Sequence, residues 1–287
     1  MKKTLLILFL LLFHGGTLQA NDQFMSFDDV TLHYEMRGKG PAVVLIHGWG
    51  GDLESWHYLF PDLADKYMVI RYDRRGYGKS DRSPDVSLDP IDLCNLLDTL
   101  KIEQAVIIGH SQGGEVALRF ALSFPERTLG LVLFGSVAPD GFGLPWNGPD
   151  ALPAGMAQTA REKGLDAFRA MFAGHPLGNG FIEDTKGLEI MVRMFHAYEA
   201  KDLLDPKPSA NATPRPHMER LTEISVPTLV MTGDLEMPYF KIVSDALAYG
   251  ISNAERVVVN GGGHSVMLQQ PERFNAEINR FLAKMLP

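Results

Sequence analysis

Four short groups of residues in this chain have the types and spacing for nucleophilic chemistry. The first is Gly109-His110-Ser111-Gln112-Gly113. Glycines two positions to either side of a serine fit a turn too tight for side chains, one that lifts the hydroxyl clear of the backbone. A serine attacks a carbonyl only when a base removes its proton. His264, in Gly261-Gly262-Gly263-His264, is the candidate base because it follows the last apolar run and opens the final segment. His47, His57 and His110 also lie near the serine in the reading, but His47 and His110 sit in backbone motifs that point their rings elsewhere. A base needs an acid to fix its tautomer, and both Asp234 and Glu236 follow the run Thr228-Leu229-Val230-Met231. Finally, His47-Gly48-Trp49-Gly50 is a glycine-rich turn able to aim a backbone N–H at the serine. The N–H groups of Trp49 and Gln112 would then form an oxyanion hole, each donor worth roughly 3–4 kcal/mol to a developing oxyanion.

These groups need a frame that brings them to one place. Ala42–Ile46, Tyr67–Tyr72, Ala105–Ile108, Leu129–Phe134, Thr228–Met231 and Arg256–Val259 are short apolar runs without alternation, as expected of strands covered on both faces of a parallel sheet. Val30–Met36 does alternate, with Leu32, Tyr34 and Met36 opposite Thr31, His33 and Glu35, which predicts a half-exposed antiparallel strand. Gly113–Phe124 has helical spacing and ends at Pro125; His264–Leu286 carries Phe274, Ile278, Phe281 and Leu282 on one stripe. Strand and helix alternate, so the core is a doubly wound α/β fold with the serine opening a helix straight after Val106-Ile107-Ile108. Residues 139–216 break the alternation. They are proline-rich and amphipathic, with Leu165, Phe168 and Phe172 on one stripe and Leu188, Met191, Phe195 and Tyr198 on another. They read as a helical cap inserted over a core formed by 21–138 and 217–287. Trp146, Phe168, Met171 and Met194 are the candidate residues to line a pocket beneath it, with Trp49 and Trp56 at its border.

With the elbow, the His-Gly loop, the stretch Asp73-Arg74-Arg75-Gly76-Tyr77-Gly78-Lys79-Ser80 and the order serine, acid, histidine, residues 24–287 resemble the α/β-hydrolase superfamily, and its small capped members most. The resemblance implies an α/β-hydrolase fold: a mostly parallel sheet with a helical cap. In that family the acid stands three residues after the glycine ending its strand; counting from Gly233 gives Glu236, leaving Asp234 as a turn carboxylate. It further implies a Ser111–His264–Glu236 triad that cleaves a carboxylic ester or similar acyl substrate through an acyl-enzyme. Relatives use the same three residues for lactone opening, carbon–carbon hydrolysis and peracid formation, and a ligand-binding protein on a retained scaffold is the reading without turnover. The Asp73–Ser80 stretch is expected to brace the site.

The remaining sequence bounds partners and location. The chain has 287 residues and a formal charge of −8, which disfavours nucleic acid. One cysteine excludes a disulfide framework and a cysteine-built zinc site; no phosphate loop, dinucleotide fingerprint or paired-histidine metal motif occurs, so neither cofactor nor metal is expected. Lys2 and Lys3 precede nine apolar residues, Leu5–Phe13, and a small residue at Ala20. As a helix that run reaches about 13 Å, too short for stable membrane insertion. Residues 1–20 therefore read as a signal peptide cleaved near Ala20, with the mature protein exported to periplasm or medium.

Overall fold

The structure is a computed structural model. It describes residues 22–286 apart from 28, 82–83, 140–151, 174, 176, 178–182, 184 and 205–214. The leader-like residues 1–20 and Trp146 lie outside the described residues.

Eight strands form one sheet: β1 (Gln23–Phe27), β2 (Val30–Arg37), β3 (Ala42–Ile46), β4 (Met68–Tyr72), β5 (Ala105–His110), β6 (Thr128–Phe134), β7 (Thr228–Gly233) and β8 (Ala254–Val259). Their spatial order is β1-β2-β4-β3-β5-β6-β7-β8. The first two strands pair antiparallel, β2 also meets β4 antiparallel, and every later pair is parallel. The expected runs are all strands, within two residues at their ends. A strand preceding Val30 was not expected; β1 is short and carries no apolar run.

The continuous runs have the burial their composition requires. In β3, Val44 and Ile46 pack into one core layer while Val43 and Leu45 pack into the other. The first layer receives Leu93, Leu96 and Leu97 from α2 (Asp89–Thr99) and Val116, Ala117 and Phe120 from α3 (Gln112–Ser123). The opposite layer receives α1 (Leu59–Leu63), through Leu59, Phe60 and Leu63, and the stripe of the last helix. A fully buried side chain of this size contributes about 1.5–3 kcal/mol of transfer free energy.

Two expectations are corrected here. Strand β2 is not half-exposed: His33 and Glu35 are buried, because His33 hydrogen-bonds Asp73 (2.7 Å) and Glu35 accepts from Arg71 Nε (2.8 Å). The polar face is covered by ionic partners rather than water. The C-terminal segment is two helices, a single turn Val266–Gln269 and then Pro271–Met285, since Pro271 cannot donate to the preceding turn.

Between β6 and β7 the described residues contain no strand but four α-helices, α4 (Leu152–Lys163), α5 (Leu165–Ala173), α6 (Thr185–Ala197) and α7 (Lys201–Leu204), followed by a 3-10 helix, His217–Glu223. The apolar faces of α4, α5 and α7, with Tyr198, form a third cluster that includes Tyr77 of the core, while Ile190, Met191 and Met194 of α6 pack into the opposite core layer. Helix α8 (Pro238–Gly250) follows β7 and contributes Phe240 to this cluster and Val243 and Leu247 to the first core layer. Among the described residues, no helix is long and apolar enough to cross a membrane.

Candidate active site

The parallel strands all point their carboxyl ends at one edge, and there the chain leaves β3, β5, β7 and β8 to build the site. Strand β5 runs directly into Ser111, whose backbone is forced to φ 55° and ψ −119° before α3 begins. Few non-glycine residues adopt such angles, and holding them costs about 1–3 kcal/mol. The surroundings impose them. Ser111 N–H donates to Phe134 O (2.9 Å), and the Ser111 carbonyl accepts from Gly114 and Val137. A Cβ on Gly113 would stand 2.2 Å from the Ile46 carbonyl oxygen, so α3 approaches β3 this closely only with glycine there. Gly48 permits the matching approach of the His-Gly loop: its Cβ would lie 3.0 Å from Cβ of Ser111.

His264, on the loop after β8, places Nε2 2.9 Å from Ser111 Oγ, and its Nδ1 lies 2.9 Å from Glu236 Oε2. A carboxylate only accepts, so Nδ1 carries the proton and Nε2 is left to accept from the serine hydroxyl. Glu236 is buried, and its second oxygen, Oε1, accepts from the Met237 N–H (2.8 Å). Asp234 is exposed and does something else: its Oδ1 accepts from Gly261 N–H (2.7 Å) and Gly262 N–H (3.2 Å), pinning the loop that carries His264. The other nearby histidines are committed. His47 Nε2 accepts from Arg74 N–H (2.9 Å), so its Nδ1 donates to Gly48 O (2.7 Å). His110 donates from Nε2 to the His264 carbonyl (2.8 Å), and burial, with His264 alongside, holds its pKa well below the ordinary value. A neutral His110 is thus fixed as a strut behind His264.

Trp49 and Gln112 both border the serine, and among the described residues neither backbone N–H has a protein acceptor. Gln112 is the first residue of α3, where an unpaired amide and the helix dipole favour negative charge. Its side chain is held away, Oε1 accepting from Arg74 Nη1 (2.9 Å) and from the Tyr77 hydroxyl (3.3 Å). Arg74 is itself fully buried and bound through Nε to Asp89 (3.0 Å), so the Asp73–Ser80 stretch does brace the site.

Ser111 opens into a cavity of about 310 Å³ beneath the inserted helices. Its walls are mainly apolar: Val137, Met156, Phe172, Leu177, Met191, Met194, Phe195, Leu203, Phe240 and Met267. Of the residues expected to line it, Met194 does. Phe168 does not; it is fully buried one layer behind, edge-on to Trp49. Met171 is 41% exposed on the outer side of α5, with its sulfur accepting from the Thr159 hydroxyl. Trp56 is likewise absent from the cavity, buried against Phe274 in the core. Phe172, Met191 and Phe195 belonged to stripes read only as packing, and Phe240 sits four residues after Glu236 at the start of α8. Asp202, the one carboxylate among the described residues of the wall, had no sequence signal; its Oδ2 accepts from Trp49 Nε1 (2.6 Å) and its Oδ1 from the Tyr198 hydroxyl. Burial, with Tyr77 and Asp202 close by, keeps that hydroxyl protonated.

The sequence profile described as "Alpha/beta hydrolase family" matches residues 43–277, the span holding every residue of this site. The chain belongs to the alpha/beta hydrolase family. It is a hydrolase of the serine type in that family. Among its relatives in the family is a 2-hydroxy-6-oxononadienedioate/2-hydroxy-6-oxononatrienedioate hydrolase of Paraburkholderia xenovorans (strain LB400), 33% identical over 89% of this chain and 91% of the relative. A 3-oxoadipate enol-lactonase of Acinetobacter baylyi (strain ATCC 33305 / BD413 / ADP1) is 29% identical over 91% of this chain and 96% of the relative. Among solved structures, a thermophilic esterase from Thermogutta terrifontis superposes with a TM-score of 0.74 at 25% identity, covering 94% of this chain and all of the esterase. The alpha/beta hydrolase fold thus holds over nearly the whole chain, while the relatives' named substrates differ.

Proposed function

We propose that this protein hydrolyses carboxylic esters of small to medium, largely apolar acyl groups. The observation that carries the reading is the unbroken hydrogen-bonded chain Ser111–His264–Glu236 at the mouth of an apolar cavity. In the proposed mechanism the Ser111 proton passes to His264 Nε2 as Oγ bonds to the ester carbonyl carbon. The N–H groups of Trp49 and Gln112 stabilise the resulting oxyanion. Collapse breaks the carbon–oxygen bond to the alcohol, which leaves with the proton from His264. Water then attacks the acyl-enzyme, its proton taken by His264, and the acid departs as that proton returns to Ser111 Oγ. Glu236 holds the tautomer and steadies the imidazolium throughout. Residues 139–216 act as the cap that sizes the acyl group. Neither a metal nor a cofactor is required by this sequence of steps.

A second reading keeps the three residues and changes the bond. The names of the Paraburkholderia and Acinetobacter relatives favour carbon–carbon or lactone hydrolysis, and the same serine and base would serve. Hydrolysis of p-nitrophenyl esters from acetate to decanoate by wild type and Ser111→Ala separates the two. Ser111-dependent release, best at one chain length, supports the ester reading; no release from either protein transfers the weight to lactones and diketones. Export rests on the composition of residues 1–20, and a mature N-terminus at Asn21 in the exported fraction is the result that supports it.

A further inference from the structure

Asp202 is the only Asp, Glu, Lys or Arg among the described residues that line the cavity. Its position is built rather than incidental. It stands on α7, a single turn that starts from Ala200, and Ala200 is fully buried with φ 52°. A β-carbon disfavours that conformation, so the surroundings must enforce it. The N–H groups of Leu203 and Leu204 donate to the Ala200 carbonyl, and Arg161 reaches across from α4 to the Leu203 carbonyl (2.8 Å). The turn so fixed brings Asp202 to the cavity wall. Both of its partners there are donors, the indole of Trp49 and the hydroxyl of Tyr198, an environment that serves the ionised carboxylate. The nearby basic side chains of the insertion are spent elsewhere: Arg169 on the carbonyls of Phe195, His196 and Tyr198, Arg193 on Glu54, and Lys201 on Glu199.

We infer that Asp202 is a specificity-determining residue that restricts the site to uncharged acyl groups and rejects substrates carrying a second, free carboxylate. This rests on the reading of Ser111 as the acyl acceptor. A carboxylate entering this apolar cavity loses water and shares the cavity with the Asp202 carboxylate. For a separation of about 5 Å and an effective dielectric constant of about 20, that repulsion alone corresponds to a loss of roughly 100-fold. The apolar walls add to the penalty, since the described lining holds no Lys or Arg to compensate the lost hydration. The preference is therefore opposite to what a dicarboxylic substrate requires, although the catalytic groups are the same.

Three ethyl esters of equal acyl length test this: ethyl pentanoate, diethyl glutarate and monoethyl glutarate, the last bearing a free carboxylate at neutral pH. For wild type, kcat/KM from ethanol release is expected to be at least about 100-fold lower for monoethyl glutarate than for ethyl pentanoate, with diethyl glutarate close to the latter. Asp202→Asn removes the charge, keeps an acceptor for Trp49, and should narrow the gap to within about 10-fold. Tyr198→Phe removes one donor but leaves the carboxylate, and should keep the discrimination; if it also collapses, loosening of the cap explains the effect and the inference fails. A wild-type ratio below about 10, or one unchanged by Asp202→Asn, likewise overturns it. Ligand-observed NMR titration of Ser111→Ala with the same three compounds reads the selectivity without turnover. If wild type hydrolyses none of them, the ester reading falls, yet tighter binding of the uncharged pair still upholds the charge selectivity. Equal or tighter binding of monoethyl glutarate, or no binding of any of the three, overturns it.

Discussion

The two carboxylates after β7 differ by only two positions and have separate jobs. Glu236 holds the ring of His264, whereas Asp234 ties down the backbone of the loop before it. Glu236→Gln keeps the shape but offers an amide in place of an acceptor-only group, and kcat is expected to fall by about 10⁴. Asp234→Asn retains an acceptor oxygen for Gly261 and Gly262, and a loss below about 10-fold is expected. Steady-state kinetics of the two variants on one ester checks the pair, and equal losses would contradict the assignment. Ser111→Ala should cost about 10⁶ in kcat, because the base and acid have nothing to act through without the hydroxyl. Much of this was legible at the level of single residues. Ser111 was marked by a turn pattern whose glycines are sterically required, and His264 by its place after the last strand. The choice between Asp234 and Glu236 was not derivable from spacing alone, since both follow the same strand; the resemblance singled out the residue that the geometry brings to the ring.

At the scale of elements, legibility followed from whether a segment's environment is local. The runs of β3 to β7 contain the reason for their own burial, and α3 its own termination at Pro125. Strand β2 does not. Its alternation was correctly seen, but His33 and Glu35 are covered by Asp73 and Arg71, about 40 residues away, and no period encodes that. The insertion shows the same limit. Its stripes identified the helices, yet a stripe does not say which neighbour covers it, so Phe168 lies behind Trp49 and Met171 faces out while Phe172 reaches the cavity. Phe172 also packs at 4.2 Å ring separation on Phe195, another wall residue. Phe172→Ala is expected to extend the preferred acyl chain by roughly three methylenes at a stability cost of about 3–5 kcal/mol. A series of p-nitrophenyl esters beside a urea denaturation curve measures both. An unchanged chain-length optimum would mean that other residues set the depth of the pocket.

For the molecule as a whole, the fully buried histidine His47 links stability to pH. Burial, with Arg74 nearby, pushes its pKa down to about 4 from the ordinary 6.5. Between those values the unfolded chain binds a proton that the native one refuses, so this contribution is complete above about pH 6.5 and is lost as pH falls to about 4. Its full size is on the order of 3 kcal/mol. Asp52, pushed up to about 7 by burial and by Asp73, acts with the opposite sign, its contribution fading as pH rises from 3.8 to about 7. The net curve mixes the two, so the His47 part is read as a difference. Urea denaturation of wild type and His47→Gln should give a stability gap that narrows between pH 7.5 and pH 4, and a constant gap would contradict the linkage. The distance along the chain between the reacting groups has a further consequence. Ser111 and His264 are separated by 153 residues and meet only when β5, β7 and β8 have all joined one sheet. Such distant pairings are the slow part of assembly. On dilution from denaturant, helical ellipticity supplied by neighbours in sequence should return first and hydrolase turnover last, making enzyme activity the clock for the final event in refolding.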